Sequence, residues 1–390
     1  MSATSIDTFL VRTLRSIRAG RTGDWPGTDI AVDVADDPLR AIWGRIEYHG
    51  IATFLQSHLS LLPDWPERIT DRITDEARLI SLWEATHGAA ISDLIGRLCE
   101  NELESVVLKG TALAYWLYDD PAARRRGDTD LLIHPRDLKA VRAILTREGW
   151  SRRGGSHGIN YQENWQKITA GGFEHSVDLH WAVTDSPVLW GVLDRDDCFV
   201  HSCPLSRLHP MALRPDAAFM AMHAAINRKW HALHGYRAED GKVMGSYRLV
   251  WSVDFDLLAR EMTDADWHRL VALCRENETG PLIAEPLRAA QVDLQTPLPE
   301  ARMEQLEDHE MAASLARYFT ESDAASAFLI DFRAAPNWRH RWRMLRSRIF
   351  APRDHILGKY PDQRHWPMPV LRARLLLQAA VRVAGRRLGK

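Results

Sequence analysis

One stretch constrains this chain more than any other. A short apolar run, Ser105-Val106-Val107-Leu108, is broken at once by Lys109-Gly110, and a second run follows as Asp128-Thr129-Asp130-Leu131-Leu132-Ile133. Short runs rich in β-branched and apolar residues predict strands, and the periodicity between them predicts a helix from Thr111 to about Tyr118. Asp119-Asp120-Pro121 stops that helix, and His134-Pro135 halts the second strand. A further helix carries Leu138, Val141, Ile144 and Leu145 on one face and ends at Gly149.

A hairpin comes next. Residues 159–169 and 173–183 flank Ala170-Gly171-Gly172, whose glycines suit a tight turn. In the second arm Phe173, Val177, Leu179 and Trp181 alternate with Glu174, Ser176, Asp178 and His180, so one face is apolar and the other polar, with His175 the exception. Residues 1–100 read as helical, through Leu39-Ile42-Ile46 and Ile91-Leu94-Ile95-Leu98, with a break around Pro63, Trp65 and Pro66. Helical patterns return over 205–330, for example Phe219-Met220-His223 and Leu249-Val253-Leu257. The expected fold is therefore α+β: an N-terminal helical region (1–100), a small mixed α/β core (101–204), a C-terminal helical domain (205–330) and a tail (331–390).

Charge sets the tail apart. The 390 residues carry 50 Lys/Arg against 52 Asp/Glu, a net charge of −2. Residues 331–390 hold 15 Lys/Arg against 3 Asp/Glu, or +12, which leaves −14 for residues 1–330. The tail interleaves Arg339, Arg341, Arg343, Arg346 and Arg348 with Trp338, Trp342, Leu345 and Ile349. Two readings stand: docking on the acidic body, which the interleaved apolar residues favour, or contact with an anionic partner. Four cysteines without C-x-x-C spacing suggest neither a disulfide framework nor a zinc ribbon. Neither a secretory signal nor a run long enough to span a bilayer is evident, so the expected compartment is the cytoplasm.

The chemistry concentrates in three carboxylates. Side chains at i and i+2 of a strand share a face, so Asp128 and Asp130 would aim two anions at one spot. Such a pair repels unless a cation lies between, and Mg²⁺ is commonly held by carboxylates together with substrate phosphates. Asp178 adds a third ligand if its strand pairs beside the first. Three carboxylates gripping two metals suit in-line phosphoryl or nucleotidyl transfer. Gly110 would let the chain turn sharply from strand to helix, and the helix beginning near Thr111 would offer free N–H groups to a phosphate, with Lys109 beside them.

The stretch from Leu108 to Trp150 resembles the bacterial "uncharacterised nucleotidyltransferase" family of the polymerase-β-like nucleotidyltransferase superfamily. The matching elements are Leu108-Lys109-Gly110, Arg124 four residues before the first aspartate, Asp128-Thr129-Asp130-Leu131-Leu132 and Asp178-Leu179-His180-Trp181. The similarity extends to His223, to the Trp251–Asp254 segment and to Phe350–Pro352. The superfamily's usual entry is Gly-Ser, where this chain has Lys-Gly. The resemblance implies a nucleotidyltransferase that moves an NMP group from an NTP, ATP among them, to an unidentified acceptor with release of pyrophosphate. It implies that Asp128 and Asp130 bind Mg²⁺ (or Mn²⁺), and that Asp178 binds the metal that activates the acceptor hydroxyl. Lys109, Gly110, Thr111, Arg124 and His180 would then contact nucleotide, while Arg125 and Arg126 would be solvated. The acceptor could be a small molecule, peptide, protein or RNA. Alternatives are a toxin-like enzyme modifying tRNA and a non-catalytic nucleotide-binding scaffold.

Two other patterns carry less. Gly154-Gly155-Ser156-His157-Gly158 matches a nucleophile elbow but has a helix before it and a strand after, the reverse of what that motif needs. Gly235 to Gly241-Lys242-Val243 has P-loop features with the wrong spacing, and Val243 stands where the Mg²⁺-binding hydroxyl belongs.

Overall fold

The switch from helix to strand at residue 105 is where the sheet begins. In the computed structural model of the chain, the described residues are 3–25, 37–153, 161–234, 236–237, 243–244, 247–320, 324–349, and Ile356, Gln363, 365–375 and Leu377. Four helices come first: α1 (Ala3–Arg18), α2 (Pro38–His49), α3 (Ala52–Gln56) and α4 (Glu67–Glu100). The Asp37 side chain caps α2 by accepting from the Arg40 N–H, and Gly50 ends it at φ 66°. Helix α4 starts after Pro66 and buries Ile69, Ile73, Ile91, Leu94, Ile95 and Leu98 along one stripe.

The mixed unit follows as β1 (Ser105–Leu108), α5 (Lys109–Leu117), β2 (Thr129–Ile133), α6 (Leu138–Arg147), β3 (Ser151–Arg153), β4 (Gln162–Ile168) and β5 (Glu174–His180). Then come α7 (Arg195–Val200) and two short strands, β6 (Cys203–Pro204) and β7 (Leu213–Arg214). The sheet runs β3-β4-β5-β2-β1-β7-β6. Its centre is mixed: β1 and β2 are antiparallel, whereas β2 and β5 are parallel. Every residue of β1 and β2 is buried, because helices cover the sheet, which is why both read as near-continuous apolar runs. The hairpin between β4 and β5 turns at Ala170-Gly171-Gly172 as expected, with Gly172 at φ 80°.

The remaining helices are α8 (Ala217–His234), α9 (Leu249–Glu261), α10 (Asp264–Glu276), α11 (Gly280–Leu294), α12 (Glu300–Glu307), α13 (Ala313–Thr320), α14 (Ala324–Ala334) and α15 (Trp338–Ile349), with a small β8–β9 pair (Tyr236–Arg237, Val243–Met244) before α9. One hydrophobic core joins the sheet to these helices, from Val106 and Leu131 through Phe219 and Phe255 to Trp267 and Ile283. A second core gathers α1 to α3 and the start of α4 around Leu249, Val250, Trp251 and Val253 of α9. Helix α9 thus touches both cores and brings its polar residues to the mouth of the sheet. The architecture is an α+β fold with a small mixed sheet among helices. The Gly154–Gly158 pattern lies outside the described residues, as does most of the P-loop lookalike. No helix among the described residues is long and apolar enough to cross a membrane.

Candidate functional site

The parallel pairing of β2 and β5 sets Asp130 opposite Asp178. Side chains in register on neighbouring strands stand side by side, so the two carboxylates meet without help from any loop. His180, two residues on, shares the face of Asp178. Each of Asp130, Asp178 and His180 offers one ligand atom, and these atoms all lie within 4.8 Å of one another. Two carboxylates and an imidazole form a donor set that suits a divalent cation. Asp128 stands one residue before β2 begins, beside this trio rather than within it. Burial and the charges of Asp130 and Asp178 push its pKa up to about 7, a repulsion that a bound cation would relieve.

Asp130 is the best-anchored of the four. Its Oδ1 accepts from Lys109 Nζ at 2.6 Å and lies 2.8 Å from His180 Nε2. Burial alone would raise its pKa, but the Lys109 ammonium and His180 outweigh it and hold the carboxyl below the usual range. Lys109 is held above its own usual value for the reciprocal reason: burial opposes the charge, and Asp130, Asp128 and Asp178 favour it more strongly. Asp178 is less enclosed and is oriented by Asn164, whose Nδ2 donates to its Oδ1 at 2.8 Å while also donating to Ser176.

The strand-to-helix turn differs from the sequence expectation in an instructive way. The left-handed backbone falls on Lys109, at φ 49°, and not on Gly110. A side chain in that conformation carries strain of about 1–2 kcal/mol, which the ammonium's contact with Asp130 offsets. Gly110 is needed for a different reason: a Cβ there would sit 2.7 Å from Arg124 Nη1. Glycine admits the guanidinium to the backbone of the turn.

The structure spends the polar residues around the turn largely on support. Arg124 donates from Nε and Nη2 to the two oxygens of Asp254 on α9, at 2.9 and 2.7 Å, and Tyr118 donates to the same carboxylate. Only Nη1 of that fork faces Gly110. Thr111 is buried, and its hydroxyl bonds the Asp128 carbonyl, Thr129 Oγ1 and Arg126 Nε. It holds Asp128 in place from beneath. Arg126, expected to be solvated, is buried: its side chain is 3% exposed and pairs with Glu84 of α4 at 2.7 Å. Arg125 likewise reaches Glu76 at 2.7 Å. These acids come from a helix far back in the chain, so no local pattern announced them.

A pocket opens beside the turn, lined by Lys109, Gly110, Arg124, His223, Asn227 and Trp251 among others. His223 Nδ1 is buried with no hydrogen-bond partner. Burial and the Lys109 charge push its pKa down to about 3, so the ring is neutral and keeps a vacant nitrogen. A fourth carboxylate, Asp185, escaped the sequence reading because it follows β5 without a motif. It accepts from the Tyr161 N–H at 2.6 Å, and burial raises its pKa.

Comparison with known proteins then finds a family match over most of the chain. The model of the family described as "Uncharacterised nucleotidyltransferase" matches residues 38–291, which takes in α2 to α10, the whole sheet and most of α11. No curated protein and no solved structure matches.

Proposed function

The chain belongs to the uncharacterised nucleotidyltransferase family, and from that premise we propose that it transfers an NMP group from an NTP to an acceptor hydroxyl, with release of pyrophosphate, where the start of β2 pairs with β5. The observation that carries this reading is the register of Asp130 against Asp178, with Asp128 and His180 beside them. Bound by Asp130 and Asp178, with Asp128 and His180 adjoining, Mg²⁺ or Mn²⁺ would supply charge neutralisation and Lewis acidity for an in-line displacement.

This chain's own residues do the rest. Lys109 and the N–H groups opening α5 neutralise and seat the phosphates of the NTP, and the pocket with His223 and Trp251 takes the nucleoside. Asn164 fixes one oxygen of Asp178 and leaves the other to receive the acceptor's proton. The acceptor oxygen then bonds the α-phosphorus as the bond to the β-phosphate breaks. Arg124 and Thr111 act by holding Gly110 and Asp128 where this happens.

The test is label transfer from an α-labelled NTP into cellular RNA, protein and small-molecule fractions. Wild type is expected to label one of them, and Asp178→Asn to lose more than about a hundredfold of that rate with its thermal midpoint retained. Full transfer by Asp178→Asn overturns the assignment. Nucleotide binding with no labelled product in any fraction overturns catalysis in favour of a binding scaffold.

A further inference from the structure

Only one side of the basic helix α15 is spent on packing. Its inner side carries Met344, which is buried, and His340, whose ring stacks on Tyr161 at 6.2 Å and meets Trp190 at 5.7 Å. Its outer side carries Trp338 and Trp342, 67% and 53% exposed. These rings lie one turn apart and stack on each other at 6.3 Å. Arg339, Arg343 and Arg346 are exposed alongside them. Two bared indoles would be a liability on an ordinary surface, and three arginines beside them make a polyanion the natural cover.

This face adjoins the proposed acceptor side of the site. The Arg343 guanidinium lies beside the Tyr161 side chain and favours its ionised form. The Tyr161 backbone holds Asp185, and Gln162, the next residue, pairs with His180 across the β4–β5 ladder. Between Arg343 and His180 of the metal-ligand trio stand two consecutive residues, Tyr161 and the first residue of β4, Gln162.

We propose that α15 is a landing platform for single-stranded RNA, with bases on Trp338 and Trp342, phosphates on Arg339, Arg343 and Arg346, and the strand's terminal hydroxyl led toward Asp178. The placement of that hydroxyl rests on the nucleotidyl-transfer reading; the binding does not. Indoles at this spacing need unpaired bases to stack on, which RNA commonly offers. A headgroup layer would satisfy the arginines but would not require two rings stacked beside a catalytic cleft.

The test uses the full chain and a 5′-fluorescein oligoadenylate of about a dozen nucleotides, without nucleotide or metal, so that a failed catalytic reading leaves the result intact. Binding is expected to fall with salt, at a slope of about −2 for three phosphate contacts to a single strand. Trp338→Ala/Trp342→Ala should weaken it about tenfold or more. Arg339→Ala/Arg346→Ala should flatten the slope by about 1.4. Both variants should keep the wild-type thermal midpoint, because all four side chains are exposed. No binding at low salt, or equal binding by the variants, overturns the proposal. So does loss of binding to phosphatidylserine vesicles with RNA binding unchanged, which would make α15 a membrane contact. Indoles already shielded from acrylamide in the free protein would overturn it too, by showing that the chain covers this face itself.

Discussion

Just upstream of β2 every guanidinium has its own carboxylate: Arg124 on Asp254, Arg125 on Glu76 and Arg126 on Glu84. At the start of β2 the count is different. Asp128, Asp130 and Asp178 gather around one ammonium, Lys109, and one imidazole, His180, with Asp185 close by. The first cluster is electrically closed, and its members come from α4, the β2 approach and α9, so it ties both helical regions to the sheet. The second is left short of positive charge, and the pocket lies between the two, lined by Lys109 of the second and by Arg124 and Asp254 of the first. Matched charge behaves here as architecture, while unmatched charge marks where a ligand is wanted.

The sharpest way to break this contrast is to remove one member of each cluster. Asp254→Ala leaves Arg124 buried and unpaired and deprives Tyr118 of its acceptor. It is expected to cost about 3–5 kcal/mol in chemical denaturation. Asp178→Asn should leave stability within about 0.5 kcal/mol while nucleotidyl transfer collapses. If Asp254→Ala were benign, or Asp178→Asn strongly destabilising, the division into closed and open clusters would be wrong.

Gly110→Ala probes the seam between them. Its methyl would press on Arg124 Nη1, and the guanidinium cannot retreat without leaving Asp254. The expected cost is about 1–3 kcal/mol of stability. A loss below that range would mean that the fork is looser than its two hydrogen bonds suggest.

Much of this was readable in advance, and the limits are physical. The order of strand, Lys-Gly, helix, Asp-x-Asp strand and hairpin follows from local periodicity, and so does the shared face of Asp178 and His180. Spacing alone put Asp128 and Asp130 on one strand face, yet the strand starts at Thr129. The closer partnership, Asp130 with Asp178, depends on a parallel register that no local signal encodes. The arginine partners were invisible for the same reason: Glu84 and Asp254 lie 42 and 130 residues from the side chains they neutralise. The conformation of Lys109 was hidden because a lysine at positive φ contradicts its own propensity. Such contradictions are expected where function outweighs local preference.

A pH series sharpens the closed side. Beneath Thr129, His87 is buried with Nε2 2.8 Å from Thr129 Oγ1 and Nδ1 facing His175. Burial, Arg126 and His175 push its pKa down to about 2. A base depressed from about 6.5 stabilises the fold fully above that pH, and the contribution is lost as pH falls toward the folded value. Asp128 pulls the other way, because its raised pKa makes the folded state gain from protonation below about 7. The clean readout is therefore wild type against His87→Gln. Between pH 7.5 and 5.5 wild type should lose about 1.4 kcal/mol more than the variant. Parallel curves would mean that His87 is already charged or not buried.

The smallest effect on stability is the most informative about the open side. Lys109→Gly relaxes the positive φ, a gain of about 1–2 kcal/mol. It also removes a partly buried ion pair, with side chains 27% and 8% exposed, that contributes a similar amount once solvent screening is allowed for. The two changes should nearly cancel in denaturation. Ligand affinities should then separate what stability hides. Without an ammonium on Asp130 Oδ1, Mn²⁺ should bind several-fold more tightly by titration calorimetry, since Coulomb repulsion from a neighbouring cation is gone. ATP should bind more weakly in the same assay, because its phosphates lose the charge beside α5. A Lys109→Gly protein that bound both ligands as wild type does would reduce Lys109 to a structural counter-ion, and the cluster at the start of β2 would then be closed like its neighbour.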